Sequence, residues 1–284
     1  MKRVAIQGIP GAYHELAARA YYKDETIEIV PCNTFKELFA EMKKDPTLLA
    51  AVAIENTIAG SLLPNYDLLR ESQLTIVGEY KLRISHSLAA LPGTKIEDLV
   101  EINSHPIALM QCHDYLDTLP HVKVVEKVDT ALSAKEIADN HLVGYGAICA
   151  KYAAEMYGLE VLKQGVETNK RNFTRFLMLA DSSIAKAMNE GQMPNKSSLV
   201  FSLPHAEGSL SQVLSVLSFY GVNLTKIQSL PIIGREWEYQ FYIDLTFVDY
   251  VRYGQSLDAI RPLTHDFLIM GEYKSFEHEL PAAK

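Results

Sequence analysis

Asn172-Phe173-Thr174-Arg175-Phe176 runs directly into Leu177-Met178-Leu179. Polar residues at the lip of a short apolar run predict a strand whose opening residues face a ligand or solvent. With a side-chain period of two, Asn172, Thr174 and Phe176 share one face and Arg175 turns to the other, unless the strand starts only at Phe176 and Arg175 sits in the entering loop. The rhythm of the chain changes just beyond this stretch. A strand so late, next to a change of composition, predicts a chain returning to a sheet begun much earlier.

Upstream, short apolar runs alternate with helical patterns. Val4-Ala5-Ile6-Gln7 is a strand, Gly8-Ile9-Pro10-Gly11 a turn, and Leu16, Ala17, Ala20 and Tyr21 recur at helical spacing. This helix start is either a candidate anion site or simply a tight strand-to-helix turn. Its glycines do not match the dinucleotide fingerprint. Ile27 to Pro31 is a second strand, and Thr34 with Glu37 forms a capping box for a helix through Met42. Leu49 to Ile54 is an apolar strand ending in Glu55-Asn56-Thr57-Ile58-Ala59-Gly60-Ser61, and ligands bind at such strand ends in open α/β sheets. Thr57 and Ser61 can equally cap the next helix. Residues 1–80, closed by 176–180, form a first lobe.

A second lobe spans 81–165. Leu82 to Leu88 alternates and is predicted to cross between the lobes, carrying His86. Lys95 to Leu99 is a short helix. Pro106 at a first helical position makes His105 the cap, with Ser104 beside it and Gln111 near the helix start. Asp129-Thr130-Ala131 opens another helix. Two α/β lobes joined by such crossings form a clamp that closes on small ligands. Residues 181–196 are a helical linker. In 197–280 the order is strand, helix, strand, strand, helix, strand, a ferredoxin-like βαββαβ module. Leu257 and Ile260 are expected to begin its second helix, and Pro262 to lie near that helix's end.

The 284 residues suffice for about two domains of roughly 100–200 residues each. With 48% apolar and 22% charged residues the composition is that of a soluble globular protein. The formal net charge of −8, from 27 basic and 35 acidic residues, offers no basic face for nucleic acid. The first apolar run is too short for a signal peptide, and no run approaches a membrane span. Cys32, Cys112 and Cys149 are few, odd in number and not spaced as metal ligands, which suits a reducing cytoplasm.

Four stretches, in order along nearly the whole chain, together resemble prephenate dehydratase with a C-terminal ACT regulatory domain. They are Ile54-Glu55-Asn56-Thr57, Ser104-His105-Pro106 through Gln111-Cys112, Asn172-Phe173-Thr174-Arg175-Phe176, and Asn223-Leu224-Thr225-Lys226-Ile227. The resemblance implies a two-lobed catalytic part (1–180) of the type II periplasmic-binding-protein fold, followed by the ACT module. It implies decarboxylating dehydration of prephenate to phenylpyruvate in phenylalanine biosynthesis, without a metal or other cofactor, because aromatisation drives the reaction. Thr174 is then the catalytic residue at the leaving hydroxyl. Asn56, Thr57, Ser61, Ser104, Gln111, Thr130 and Arg175 are candidate substrate contacts. Arg175 can hold a carboxylate in its planar fork or form a salt bridge with Glu55 or Glu79. His86 and His105 are read as structural.

Gly208, Ser209, Leu210, Asn223 and Leu224 are candidate contacts for phenylalanine as effector. In the family that site lies between paired modules, which implies a homo-oligomer, a dimer or a tetramer. Some residues depart from the family pattern. Ala12-Tyr13-His14 replaces Thr-Phe-Ser, Ala59 stands for Glu, Gly208-Ser209-Leu210 for Gly-Ala-Leu, and Gln228-Ser229-Leu230-Pro231 for Glu-Ser-Arg-Pro. Arogenate, the same ring with an amine on its side chain, is the alternative substrate. A non-enzymatic small-molecule sensor is the alternative of another class.

Overall fold

The structure, a computed structural model, describes residues 1–276 apart from Ile233 and Glu236. The last residues of the expected module, 277–280, lie outside the described residues. The chain divides into two compact units. One comprises Met1–Leu62 and Tyr80–Phe176, the other Leu63–Glu79 and Leu177–Lys284.

The first half supplies β1 (Lys2–Gln7), α1 (Tyr13–Tyr21), β2 (Ile27–Cys32), α2 (Phe35–Lys44), β3 (Leu49–Asn56), a short β4 (Gly60–Ser61), α3 (Leu63–Ser72) and β5 (Thr75–Arg83). Next come β6 (Ser87–Ala90), β7 (Glu101–Ser104), α4 (Pro106–Gln111), α5 (His113–Leu116), β8 (Lys123–Glu126), α6 (Thr130–Asp139), β9 (Tyr145–Cys149), α7 (Lys151–Met156) and β10 (Glu160–Gln164). The chain then returns as β11 (Phe173–Ala180), followed by α8 (Ser182–Met188). The first sheet has the order β2-β1-β3-β11-β5, so the late strand does enter the early sheet. The second has the order β10-β6-β9-β7-β8, and β6 is antiparallel to both of its neighbours.

Local chemistry explains several boundaries. Thr34 Oγ1 accepts the Glu37 N–H at 3.1 Å, and Glu37 reaches back to the N–H of Asn33 at 2.7 Å. His105 caps α4, its Nδ1 accepting from the Ile107 N–H at 3.2 Å, with Pro106 at the first position. Other boundaries differ from expectation. Gln111 is the last residue of α4, not near its start, because Cys112 leaves helical geometry at φ −110° and ψ 14°. The expected crossing strand is broken: Ile84, Ser85 and His86 separate β5 from β6. Lys95 to Leu99 contains only a 3₁₀ turn over Ile96–Asp98.

In the second unit, β12 (Lys196–Ser202), α9 (Ser209–Phe219), β13 (Asn223–Pro231), β14 (Tyr239–Thr246), α10 (Tyr250–Ile260) and β15 (His265–Tyr273) form an antiparallel sheet of order β13-β14-β12-β15. This is the expected ferredoxin-like, ACT-like arrangement. Leu199 and Phe201 from β12, with Ile243 and Leu245 from β14, meet Val213, Leu217, Tyr253 and Leu257 from the two helices in one core. α10 starts earlier than expected: Asp249 Oδ1 accepts from the N–H groups of Val251 and Arg252, so Leu257 and Ile260 fall in its last turn. Pro262 sits in the 3₁₀ turn just beyond.

α3 and the start of β5 belong to this unit. Lys196 Nζ pairs with both oxygens of the buried Glu79 carboxylate, at 2.9 and 2.8 Å. Gly271 lies against β5, where an added Cβ would stand 2.3 Å from the Ile76 carbonyl oxygen. Gly271→Ala is therefore expected to lower stability by about 1–3 kcal/mol through overpacking, read from a urea melt. An unchanged midpoint would contradict the tight approach.

Cys32, Cys112 and Cys149 are free and buried. Burial pushes their thiols up, to about 11, 12 and 12 respectively.

Candidate active site

A cavity of about 370 Å³ opens within the first unit. Its walls come from the ends of β1 and β3, the first turn of α1, the opening of β11, and the starts of α4 and α6. The βα turn, α1 and β11 form one side, and the second-lobe helices the other. The cavity is mostly apolar, with a few polar groups converging, as small-ligand sites usually are.

Thr174 stands at its centre. Alternation along β11 turns Thr174 and Phe176 into the cavity. Arg175 takes the opposite face, where it is buried and its Nη1 lies 3.3 Å from Glu55 Oε1. Of the two readings for Arg175, the structure thus gives the ion pair, within one lobe, and the side chain is off the cavity wall. Asn56 Nδ2 donates to Thr174 Oγ1 at 2.9 Å and to Asn172 Oδ1 at 2.7 Å. Asn56 Oδ1 accepts from the N–H groups of Ile58 and Ala59 at 2.9 and 2.8 Å and from Gln111 Nε2 at 3.3 Å. The amide orientation is thereby fixed. Because Thr174 Oγ1 accepts from Asn56, its own proton is directed elsewhere, and the cavity is what it faces.

The network continues. Gln111 Oε1 accepts from Asn172 Nδ2 at 2.8 Å and lies 3.0 Å from His86 Nε2. An oxygen there requires the proton on Nε2 and leaves Nδ1 an acceptor, and the single proton of the Tyr13 hydroxyl is shared between Nδ1, 2.8 Å away, and the Ser85 carbonyl, 2.9 Å away. Buried Glu167 holds the His86 backbone N–H at 2.9 Å. Five side chains from distant parts of the chain therefore lock one another around Thr174.

Of the other predicted residues, Thr130 lines the cavity, but the cap of α6 is Asp129, whose Oδ1 accepts the Leu132 N–H at 2.9 Å. Ser104 does not line it: its hydroxyl donates to the Ile148 carbonyl at 2.5 Å. Thr57 accepts from the Phe173 N–H at 3.0 Å and donates to the Arg171 carbonyl at 3.1 Å, so it pins the entry to β11. Ser61 pairs in β4 opposite Glu55. Tyr13, His14, His86, Asp129 and Asn172 were not among the nominated contacts. Tyr13 and His14 were visible only as departures from the family pattern.

Burial governs the titration of the wall. It pushes His14 down to about 3 and lowers His86 and His105 as well. For His86 the bond to Gln111 and the charge of Glu167 partly offset it. Burial raises the Tyr13 phenol and the Asp129 carboxyl. Among the described residues no group of three or more His, Cys, Asp and Glu is placed to hold a metal ion, and no helix is long and apolar enough to cross a membrane.

The predicted effector contacts fall into two sets. Gly208, in the left-handed conformation, caps α9; Ser209 bonds back to the Pro204 and Ala206 carbonyls; Leu210 packs on the module core. Asn223, which donates to Thr246 Oγ1 at 3.3 Å, and Leu224 begin the strand after that helix. The eleven residues of α9 put about 16 Å between the sets, at 1.5 Å per residue.

Known proteins share this chain's features. Arogenate dehydratase 2 of Petunia hybrida is 45% identical over 231 residues, 81% of this chain and 57% of its own length. The chain thus spans little more than half of that relative. The prephenate dehydratase of Arthrobacter aurescens in complex with L-Phe superposes with a TM-score of 0.83 at 26% identity, covering 96% of this chain and 89% of that one. GqqA, described as a novel type of quorum quenching acylase, gives 0.84 at 29% identity, covering 97% and 98%. The sequence profile of the prephenate dehydratase family matches residues 4–184, a span that holds Asn56, Gln111 and Thr174 and every residue bonded to them, and the chain belongs to that family.

Proposed function

We propose that the chain catalyses decarboxylating dehydration of a prephenate- or arogenate-type cyclohexadienol, giving an aromatic product. The observation that carries this reading is the Thr174 hydroxyl, which accepts from Asn56 at 2.9 Å on the wall of a largely apolar cavity and so has its own proton to donate. The difficult step is departure of hydroxide, and an oriented donor stabilises the charge that develops on it. Asn56, being an amide, orients Thr174 without supplying a proton. The apolar wall, with Phe35, Ile84, Val128 and Phe176, solvates a ring carboxylate less well than water does, which favours its loss as CO2. Of the candidate substrate contacts read from the sequence, Asn56, Gln111 and Thr130 line the cavity. Arg175, Ser104, Thr57 and Ser61 act from behind the wall.

Prephenate stood first on sequence grounds, but the relative's name favours arogenate. Phenylalanine is the proposed effector, as the ligand of the similar Arthrobacter aurescens enzyme. Its contacts at the two ends of α9 can meet on one small ligand only if two modules pair, which makes the protein a homo-oligomer in this reading. A cytoplasmic location belongs to the same reading.

An acylase comes second, favoured by the likeness to GqqA. Acyl transfer needs a nucleophile next to a base. Thr174 is bonded to an amide, and His86 is already engaged by Tyr13 and Gln111. The deciding experiment supplies prephenate and arogenate side by side, with and without phenylalanine, and follows the aromatic product. Turnover of at least one is expected. Failure with both, alongside hydrolysis of an acyl amide, would replace the dehydratase reading with the acylase.

A further inference from the structure

The cavity has an unusual charge balance for a site that would take an anion. Among the described residues, no lysine, arginine or glutamate lines it. Burial lowers each of its three histidines, which disfavours their cationic forms. Among the described residues, Asp129 is the one carboxylate on the wall. Its Oδ1 is taken by the Leu132 N–H as the cap of α6. Its Oδ2 is turned to the first lobe: a Cβ placed on Gly8, at the end of β1, would lie 3.0 Å from it. Gly8, with φ +100° and no side chain, lets the end of β1 approach the carboxylate closely on that side, and Asp129 lines the cavity as well.

The two candidate substrates carry the same carboxylates and differ at one side-chain group, an oxo oxygen or an ammonium. Next to a lone carboxylate the oxo acid finds only like charge. The amino acid brings a cation that compensates it. Specificity follows from such a difference, through attraction to one ligand and repulsion of the other.

We propose that Asp129 is the specificity-determining residue of the cavity, its carboxylate accepting hydrogen bonds from the substrate's side-chain ammonium, so that arogenate is taken in preference to prephenate. This rests on the dehydratase reading of the same site. Burial raises the Asp129 carboxyl, the mark of a charge without full compensation, and an adjacent ammonium reverses that effect. His105, also near Asp129, is pushed down by burial, against the opposing charge of Asp129, which disfavours a competing cation.

The test is steady-state kinetics of the full chain and its Asp129→Asn variant with each substrate. Asparagine caps a helix as well as aspartate does, so α6 is kept. For arogenate, kcat/KM should fall by about tenfold or more, mainly through KM, as a charge-assisted bond is lost. For prephenate it should rise, inverting the preference. Asp129→Ser, which also caps, should give the same inversion and serves if the asparagine variant misfolds. An equal fall for both substrates, or an unchanged ratio, overturns the role of Asp129 and leaves the dehydratase standing. A wild-type chain inactive on both substrates overturns the dehydratase and this assignment with it.

Discussion

Thr174→Val should lower kcat by about 100-fold, the usual scale for removing one preorganised donor from a developing oxyanion. Valine has the shape of threonine and suits a strand, so β11 should keep its place and the melting temperature should hardly move. Asn56 Nδ2 loses one acceptor but keeps Asn172 Oδ1 and, at 3.2 Å, the Phe173 carbonyl. The loss should therefore appear in kcat and little in KM, because the donor acts on charge that forms only as hydroxide leaves. Thr174→Ser should restore most of the rate. A valine variant with wild-type kcat would remove Thr174 from the chemistry.

The second large effect concerns stability. Glu79→Gln should destabilise the protein by about 3–5 kcal/mol, since the buried Lys196 ammonium would lose the charge of the carboxylate that holds it through both oxygens. Glu79 is 2% exposed and Lys196 5%, so water reaches neither to compensate. Glu79 also accepts the Phe276 N–H at 3.1 Å, and that bond would weaken too. The double variant Glu79→Leu with Lys196→Met should recover most of the loss, because well-packed apolar residues commonly replace a buried pair without penalty. Urea unfolding of the wild-type chain and the two variants measures this. A double variant no more stable than Glu79→Gln would show that the pair's geometry, and not its uncompensated charge, sets the effect.

Much of this architecture was legible because local signals agreed with the global one. The polar lip of Asn172 to Phe176 located the returning strand, and its period of two separated Thr174 from Arg175. Thr34 with Glu37, and His105 with Pro106, marked helix starts through side chains that seek backbone N–H groups. The constellation around Thr174 was half legible. Asn56 stood out as a polar residue at a strand end, whereas Gln111 was nominated by the family resemblance and expected at the other end of its helix. Tyr13 and His86, 73 positions apart, meet only when two lobes fold together, and no periodicity encodes that. Asp129 was hidden by its own capping role, because a cap explains one carboxylate oxygen and says nothing of the other. The late prediction for α10 has a similar cause. Tyr250 and Val251 suit strands, and only the Asp249 carboxylate, bonded to two N–H groups, tips them into a helix.

The three buried thiols have a practical corollary. With each proton held this firmly and each sulfur out of reach, the native protein should be almost silent to maleimide and to mild oxidants. A single cysteine engineered on the surface would then be a unique handle for a fluorophore or spin label, with no need to strip the natural ones first.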